Sequence, residues 1–180
     1  MVYIFLADGF EEIEALTPVD IMRRANLNVA TVGISGTSVT GSHGINVTAD
    51  INIGEVELDK TEAIVLPGGL PGTTNLEKSE KLIDIISFCS DNNIVIAAIC
   101  AAPSILGHMG LLKSKNAVSF PSFQSHLEGA NVLEDYVVQD GNIITARGMG
   151  VSTDFSLKLV EVLVSEQESQ NIRESIQCKI

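Results

Sequence analysis

Short apolar, β-branched runs alternate along this chain with longer stretches of helical period, and that alternation restricts the fold more than any other feature. Val2 to Leu6, Val29 to Ile34, Ala63 to Leu66, Ile94 to Ile99 and Ile143 to Ala146 read as strands. Between them, Glu11 to Asn26 carries Ile13, Leu16, Ile21 and Met22 at helical spacing, with Pro18 expected to kink or restart the helix. Ser79 to Asp91 repeats the pattern with Leu82, Ile83, Ile85, Ile86 and Cys89. A further helix is expected from about Pro103, because proline suits a first helical turn, and another over Val151 to Ser165. Ile45 to Ala49, Ala117 to Phe120 and Tyr136 to Gln139 are additional strand candidates, with Asp140-Gly141-Asn142 as a turn. The run Ile94-Val95-Ile96-Ala97-Ala98 is apolar at every position, as a parallel strand buried on both faces must be. The pattern predicts an α/β sandwich around a mainly parallel sheet. No repeat or linker interrupts it, so residues 1–180 are expected to form one domain. The tail 166–180, with Ile172, Ile176 and Ile180 four apart, is expected to dock as a short helix.

The charge narrows the function. Eleven Lys and Arg stand against 23 Asp and Glu, a net charge of −12. A field of that sign opposes binding to nucleic acid or to an anionic membrane, and aromatics at 4% with no Trp offer no base-stacking platform. No stretch approaches the ~18 apolar residues of a membrane span. The first residues lack a basic n-region and stop being apolar at Asp8, so they read as a strand and not a signal peptide. Three cysteines, Cys89, Cys100 and Cys178, are widely spaced and odd in number. They suit a reducing cytoplasm better than a disulfide framework or a Cys-rich zinc site. Cys89 reads as a core residue of its helix and Cys178 as an exposed tail residue.

Open α/β sheets bind ligands at the carboxyl ends of their strands. Three segments there carry unusual residues: Asp8 to Glu14, Pro67-Gly68-Gly69 and Ile99 to Pro103. Cys100 lies between a buried strand and a helix start. A sharp turn there would lift its sulfur above the sheet and let backbone N–H groups and the helix N-terminus stabilise a thiolate. The competing reading is an inert buried thiol. Gly68-Gly69 either aims backbone N–H groups at a reacting oxygen or simply turns the chain. Glu11 and Glu12 complement a helix N-terminus. Glu14 sits among apolar positions, and an inward-facing carboxyl has a raised pKa suited to moving protons.

Taken in order, Phe10-Glu11-Glu12-Ile13-Glu14, Thr17-Pro18-Val19-Asp20, Arg23-Arg24-Ala25, Val65-Leu66-Pro67-Gly68-Gly69, Ala97-Ala98-Ile99-Cys100-Ala101-Ala102-Pro103 and Ala146-Arg147-Gly148 resemble the DJ-one/ThiJ/PfpI superfamily. The similarity spans about residues 2 to 165 and is greatest to the Parkinson-associated deglycase branch. It implies a flavodoxin-like three-layer domain, helices on both faces of the sheet, and a homodimer. It further implies Cys100 as an oxidation-prone nucleophile, Glu14 as its carboxyl partner, and the N–H groups of Gly69 and Ala101 as the anion pocket. Arg24, His43 and Phe120 are expected to line the site, His43 by its match to a basic residue facing the dimer partner. The implied activities are glyoxalase III-type conversion of small 2-oxoaldehydes to 2-hydroxy acids, for which neither metal nor organic cofactor is expected because the hydride equivalent stays within the substrate, deglycation, and redox-responsive chaperone behaviour.

Two departures from the family pattern matter. The residue after the nucleophile is Ala101, where the peptidases of the superfamily have a histidine, so proteolysis is not expected. The residue before Pro121 is Phe120, where the deglycase branch often has a histidine. His126 lies six positions later, and His108 and His126 read as surface or helix-end residues. A catalyst of 2-oxoaldehyde isomerisation and an oxidative-stress sensor without a turnover substrate would use the same Cys100. A class I amidotransferase-like triad lacks its histidine and acid pattern in the C-terminal strands.

Overall fold

Among the described residues seven strands form the central sheet, in the order β10 (Val137–Asp140), β11 (Ile143–Ala146), β7 (Val95–Ile99), β6 (Ala63–Leu66), β1 (Val2–Leu6), β2 (Val29–Gly33) and β5 (Ile51–Asn52). The computed structural model describes residues 1–178. In chain order the elements are β1 (Val2–Leu6), α1 (Glu12–Arg24), β2 (Val29–Gly33), β3 (Ser38–Thr40), β4 (Asn46–Thr48), β5 (Ile51–Asn52), β6 (Ala63–Leu66), α2 (Gly72–Glu77), α3 (Glu80–Asp91), β7 (Val95–Ile99), α4 (Pro103–His108), β8 (Asn116–Ala117), β9 (Asn131–Val132), β10 (Val137–Asp140), β11 (Ile143–Ala146), α5 (Ser152–Leu163) and α6 (Glu166–Ser175). Every pairing in the large sheet is parallel except β10 with β11. The short pairs β3-β4 and β8-β9 lie outside it.

The sheet is buried on both faces, as the apolar runs require. Alternate residues of each strand face opposite layers: Val2, Ile4 and Leu6 join α1 and α5 residues in one core, while Tyr3 and Phe5 join Leu76, Leu82, Ile86 and Leu106 in the other. Helices α1, α5 and α6 cover the first face and α2, α3 and α4 the second, giving the expected α/β three-layer sandwich. Cys89 is fully buried in the second core, and burial pushes its thiol up to about 12.

Some local expectations change. No second helix starts at Pro18; α1 runs unbroken across it. Proline costs that helix one bond, the one its absent N–H would have made to the Glu14 carbonyl. Of Ala117 to Phe120, only Ala117 is in a strand, and Pro121 opens a 3-10 turn to His126. The seventh strand, β5, is two residues long and too short to show a period. In the tail, Ile172 is buried against the α1/α5 layer and Ile176 packs at its edge; Ile180 lies outside the described residues. Cys178 is half-buried, its sulfur 3.6 Å from the Arg173 guanidinium.

The topology places one crevice above all others. From β1 the chain builds outward through β2 on one side, then returns to β6 and builds through β7 on the other. Adjacent loops therefore leave β1 and β6 in opposite directions, opening a gap at their carboxyl ends. Those are the loops that carry Glu11 to Glu14 and Gly68-Gly69, with Cys100 next door at the end of β7.

Candidate active site

Cys100 has φ +65°, the left-handed region that a residue with a Cβ rarely adopts. Such a conformation costs about 1–3 kcal/mol and persists only where its surroundings hold it. Here three segments do so. The Cys100 N–H donates to the Ala146 carbonyl at 2.9 Å, its own carbonyl accepts from the Phe120 N–H at 2.8 Å, and α4 departs from Pro103. The strand-to-helix turn is thus a strained elbow that presents the sulfur at the switch-point crevice.

Glu14 reaches the same point from the first turn of α1. The Glu11 carboxylate caps that turn, accepting from the Glu14 N–H at 2.7 Å. The Glu14 side chain is only 1% exposed. Its Oε2 accepts the Gly68 N–H at 2.9 Å, while Oε1 is buried without a hydrogen-bond partner among the described residues. Burial raises its pKa from 4.5 to about 7, and the charge of Glu11 adds to the rise. The nearby Cys100 thiol and the N–H groups of Gly68 and Met149 pull the other way; among the described residues only the Gly68 N–H makes a hydrogen bond of full geometry to the side-chain carboxyl. An orphaned buried oxygen on a carboxyl of that pKa suits an O–H group, which has a proton to give.

Gly68 and Gly69 are needed for different reasons. A Cβ on Gly68 would stand 2.7 Å from both Cys100 Cβ and Glu14 Oε2, so only glycine lets the thiol and carboxyl share this corner. Gly69, at φ +86°, passes so close to Gly9 and Glu11 that a Cβ would meet the Glu11 nitrogen at 2.4 Å. The sulfur is pushed up to about 12, first by burial and then by the neighbouring Glu14 charge. The nearby N–H groups of Ala101 and Gly69 oppose this by favouring the thiolate. The lowered thiol pKa expected at an elbow is therefore not what the structure has. The helix-end and N–H effects are outweighed by desolvation and a like charge.

Phe120 and Gly148 wall the entrance. A Cβ on Gly148 would lie 3.4 Å from the Phe120 ring, 3.9 Å from Glu14 Oε1 and 4.0 Å from Cys100 Sγ. Any side chain there would fill the space over the reacting groups. Outside this wall a shallow apolar cavity of about 330 Å³ is lined by Phe120, Tyr136, Arg147, Gly148, Met149 and Val151, among others. Arg147 pairs with Glu134 at 3.5 Å and lies over the Tyr136 ring. The cavity ends at Phe120 and Gly148, with the sulfur behind them.

The remaining candidates are not all brought here. His43 sits beside α1 in the loop after β3, where its ring Nδ1 meets Glu12 Oε2 at 2.8 Å and its N–H donates to Glu12 Oε1 at 2.7 Å. Burial works against ionising Glu12, yet these and further bonds hold its carboxyl down to about 2. Glu11, Glu12 and His43 place ligand atoms within 4.8 Å of one another, but the Glu12 oxygens are already engaged by loop 41–45. Arg24 is ten residues beyond Glu14 along α1, about 15 Å at helical rise, and is exposed and paired with Asp20. Sequence reasoning passed over Gly148 as a site residue, although Ala146-Arg147-Gly148 offered a signal, and it read Gly68 with Gly69 as a source of N–H groups, not for the space its missing Cβ leaves.

Comparison with known proteins agrees with this architecture. The chain is 39% identical over 158 residues to Protein DJ-1 homolog B of Arabidopsis thaliana, covering 87% of this chain but 36% of that protein. It is 34% identical to Protein dj-1beta of Drosophila melanogaster, over 96% of this chain and 94% of that one. The solved structure of oxidized DJ-1 from Toxoplasma gondii superposes with a TM-score of 0.93 at 32% identity, covering 98% of this chain and 97% of that one. The family model described as DJ-1/PfpI family matches residues 1–162. With a family match over nearly the whole sheet and both helical layers, the chain belongs to the DJ-1/PfpI family.

Proposed function

We propose that this protein converts small 2-oxoaldehydes, such as methylglyoxal and glyoxal, to 2-hydroxy acids with Cys100 as nucleophile and Glu14 as proton carrier. The observation that carries the reading is the buried Cys100–Glu14 pair, in which the carboxyl titrates at about 7. A thiol held high cannot ionise alone at neutral pH, so it needs a base that takes its proton as the sulfur attacks. Near neutral pH much of Glu14 is ionised and next to it, where a general base is most effective.

The reaction then balances without an external oxidant. Glu14 takes the thiol proton while a C–S bond forms to the aldehyde carbon, and the new oxyanion is held by the N–H groups of Gly69 and Ala101. Protonation gives a hemithioacetal. Glu14 next removes the hydrogen of that carbon as a proton, and a proton is returned to the neighbouring carbon through an enediol. The attacked aldehyde carbon is oxidised by two electrons and the neighbouring carbonyl carbon, a ketone in methylglyoxal and an aldehyde in glyoxal, is reduced by two, leaving a thioester. Water cleaves the C–S bond, releasing lactate or glycolate and restoring the thiol. Attack on a glycation adduct would follow the same first step with an amine as leaving group.

The second reading is an oxidation sensor, supported by a half-exposed Cys100 whose N–H neighbours and Glu14 would hold a sulfinate. The Toxoplasma relative was solved in an oxidized form. Intact-mass analysis after mild peroxide, run beside a methylglyoxal turnover assay, separates the two. Lactate formation without glutathione supports catalysis; a gain of two oxygens on Cys100 with no turnover replaces it with the sensor. We also place a homodimer in this proposal: Ile13 and Ile45 are about half exposed on either side of the Glu12 anchor, a surface suited to a second copy. Among the described residues no helix is long and apolar enough to cross a membrane.

A further inference from the structure

Away from the crevice, three polar side chains from three separate segments meet in a line. Glu77 is the last residue of α2, His108 the last residue of α4, and His126 ends the 3-10 turn that begins at Pro121. Glu77 Oε1 lies 2.5 Å from His108 Nδ1, and His108 Nε2 lies 3.0 Å from His126 Nδ1. The backbone is built for this approach: a Cβ on Gly107 would stand 2.0 Å from the His126 carbonyl oxygen, so only glycine lets α4 press against the turn there. Phe123 flanks the His126 ring, with centroids 5.8 Å apart.

The tautomer of His108 follows from its partner. A carboxylate only accepts, so His108 Nδ1 carries the hydrogen and donates it to Glu77. In the neutral ring Nε2 is then a bare lone pair turned toward His126. A carboxylate on the far nitrogen of a metal-binding imidazole fixes its orientation and raises its basicity. Two imidazole nitrogens sharing one ion at ~2.0–2.1 Å stand about 2.9–3.4 Å apart for N–metal–N angles of about 90–110°. The observed 3.0 Å, spanned here by a hydrogen bond that His126 Nδ1–H donates to His108 Nε2, falls in that range, so an ion would replace the shared hydrogen with little movement of either ring. Both imidazoles are solvent-accessible, so water can complete the coordination sphere.

We propose that His108 Nε2 and His126 Nδ1 bind one late first-row divalent cation, zinc above all, with Glu77 as the residue that positions His108. The imidazole pair selects such ions over magnesium and calcium, which prefer oxygen. The bound ion ties the end of α4, which starts at the Cys100 elbow, to the turn that starts beside Phe120. It is a structural clamp behind the crevice and takes no part in the chemistry at Cys100.

The test is calorimetric titration of zinc into untagged protein at neutral pH, with Cys100→Ser, made together with Cys178→Ser, included so that thiol binding is removed. One equivalent is expected in that background. It is expected to vanish in His108→Ala and in His126→Ala, and to weaken about 10–100-fold in Glu77→Gln. Metal-free melting of each variant close to its parent shows that the fold is kept. Imidazole nitrogen NMR is expected to show zinc shifting Nε2 of His108 and Nδ1 of His126, a change that a purely structural Glu77–His108 contact would not produce. Absence of saturable binding in the protein carrying Cys100→Ser and Cys178→Ser, or binding of equal strength in His126→Ala, overturns the proposal.

Discussion

Replacing Glu14 by Gln removes the one buried carboxyl whose ionisation the fold opposes. Its pKa rises from 4.5 to about 7, chiefly through burial. At ~1.4 kcal/mol per pH unit, that rise makes ionising Glu14 in the folded protein cost about 3 kcal/mol. The sign follows from linkage. A raised acid pKa contributes stability that is complete below the unfolded value near 4.5 and is lost as pH climbs through about 7. Glutamine cannot ionise, keeps an oxygen for the Gly68 N–H and fits the same space. The stability of Glu14→Gln relative to the parent is therefore expected to climb by about 3 kcal/mol between pH 4.5 and 8. Urea unfolding of both proteins across that range, at one protein concentration, measures the difference directly, because the other titrating groups are common to both. Keeping to pH 8 leaves the Cys100 thiol protonated. A difference that stays flat, or falls with pH, would refute the reasoning, since it would mean that Glu14 ionises in the fold as easily as in water.

Three further outcomes are expected. Gly68→Ala drives a methyl group to 2.7 Å from Cys100 Cβ and Glu14 Oε2; it should cost about 1–3 kcal/mol in thermal or urea unfolding and lower turnover more than Gly150→Ala, which has open space. Glu12→Gln should destabilise the protein by about 1–3 kcal/mol at neutral pH by weakening the anchor of loop 41–45. Because that carboxyl is held down at about 2, the difference should shrink as pH falls from about 4.5 toward 2 in an acid-unfolding series. Timed alkylation of the native protein should label Cys178 and spare Cys89, which is fully buried with its thiol pushed up to about 12; mass spectrometry of the peptides reads this out.

The fold was largely legible because its strongest signals are local. Ile94 to Ile99 is apolar at every position, and only a strand covered on both faces tolerates that. The helix over Glu12–Arg24 was legible too, but its continuity through Pro18 was not. The loss of one backbone bond is offset by packing of α1 on the sheet, a tertiary effect that no local rule contains. The short β5 and β9 escaped for a similar reason, since two residues carry no period.

The site divides along the same line. Cys100, Glu14 and the Gly68-Gly69 pair stood out by residue type at strand ends, whereas the pocket role of Ala101 came through the resemblance. The need for glycine at 68, and the open space that Gly148 leaves over the reacting groups, arise only when loops after β1, β6, β7 and β11 converge, so local sequence pattern does not explain them. The expectation of a low thiol pKa counted the helix N-terminus and missed burial beside a carboxyl. Arg24 and His43 were placed by resemblance, and helical rise puts Arg24 at the far end of α1 while Glu12 engages His43.

The central claim is that Cys100 and Glu14 act together on a 2-oxoaldehyde. Lactate formation from methylglyoxal, without glutathione, should be followed for the parent, Cys100→Ser and Glu14→Gln. Steady lactate production by the parent, none by Cys100→Ser and a loss of about 10²-fold or more in Glu14→Gln is the expected result. Full activity in either variant would contradict it.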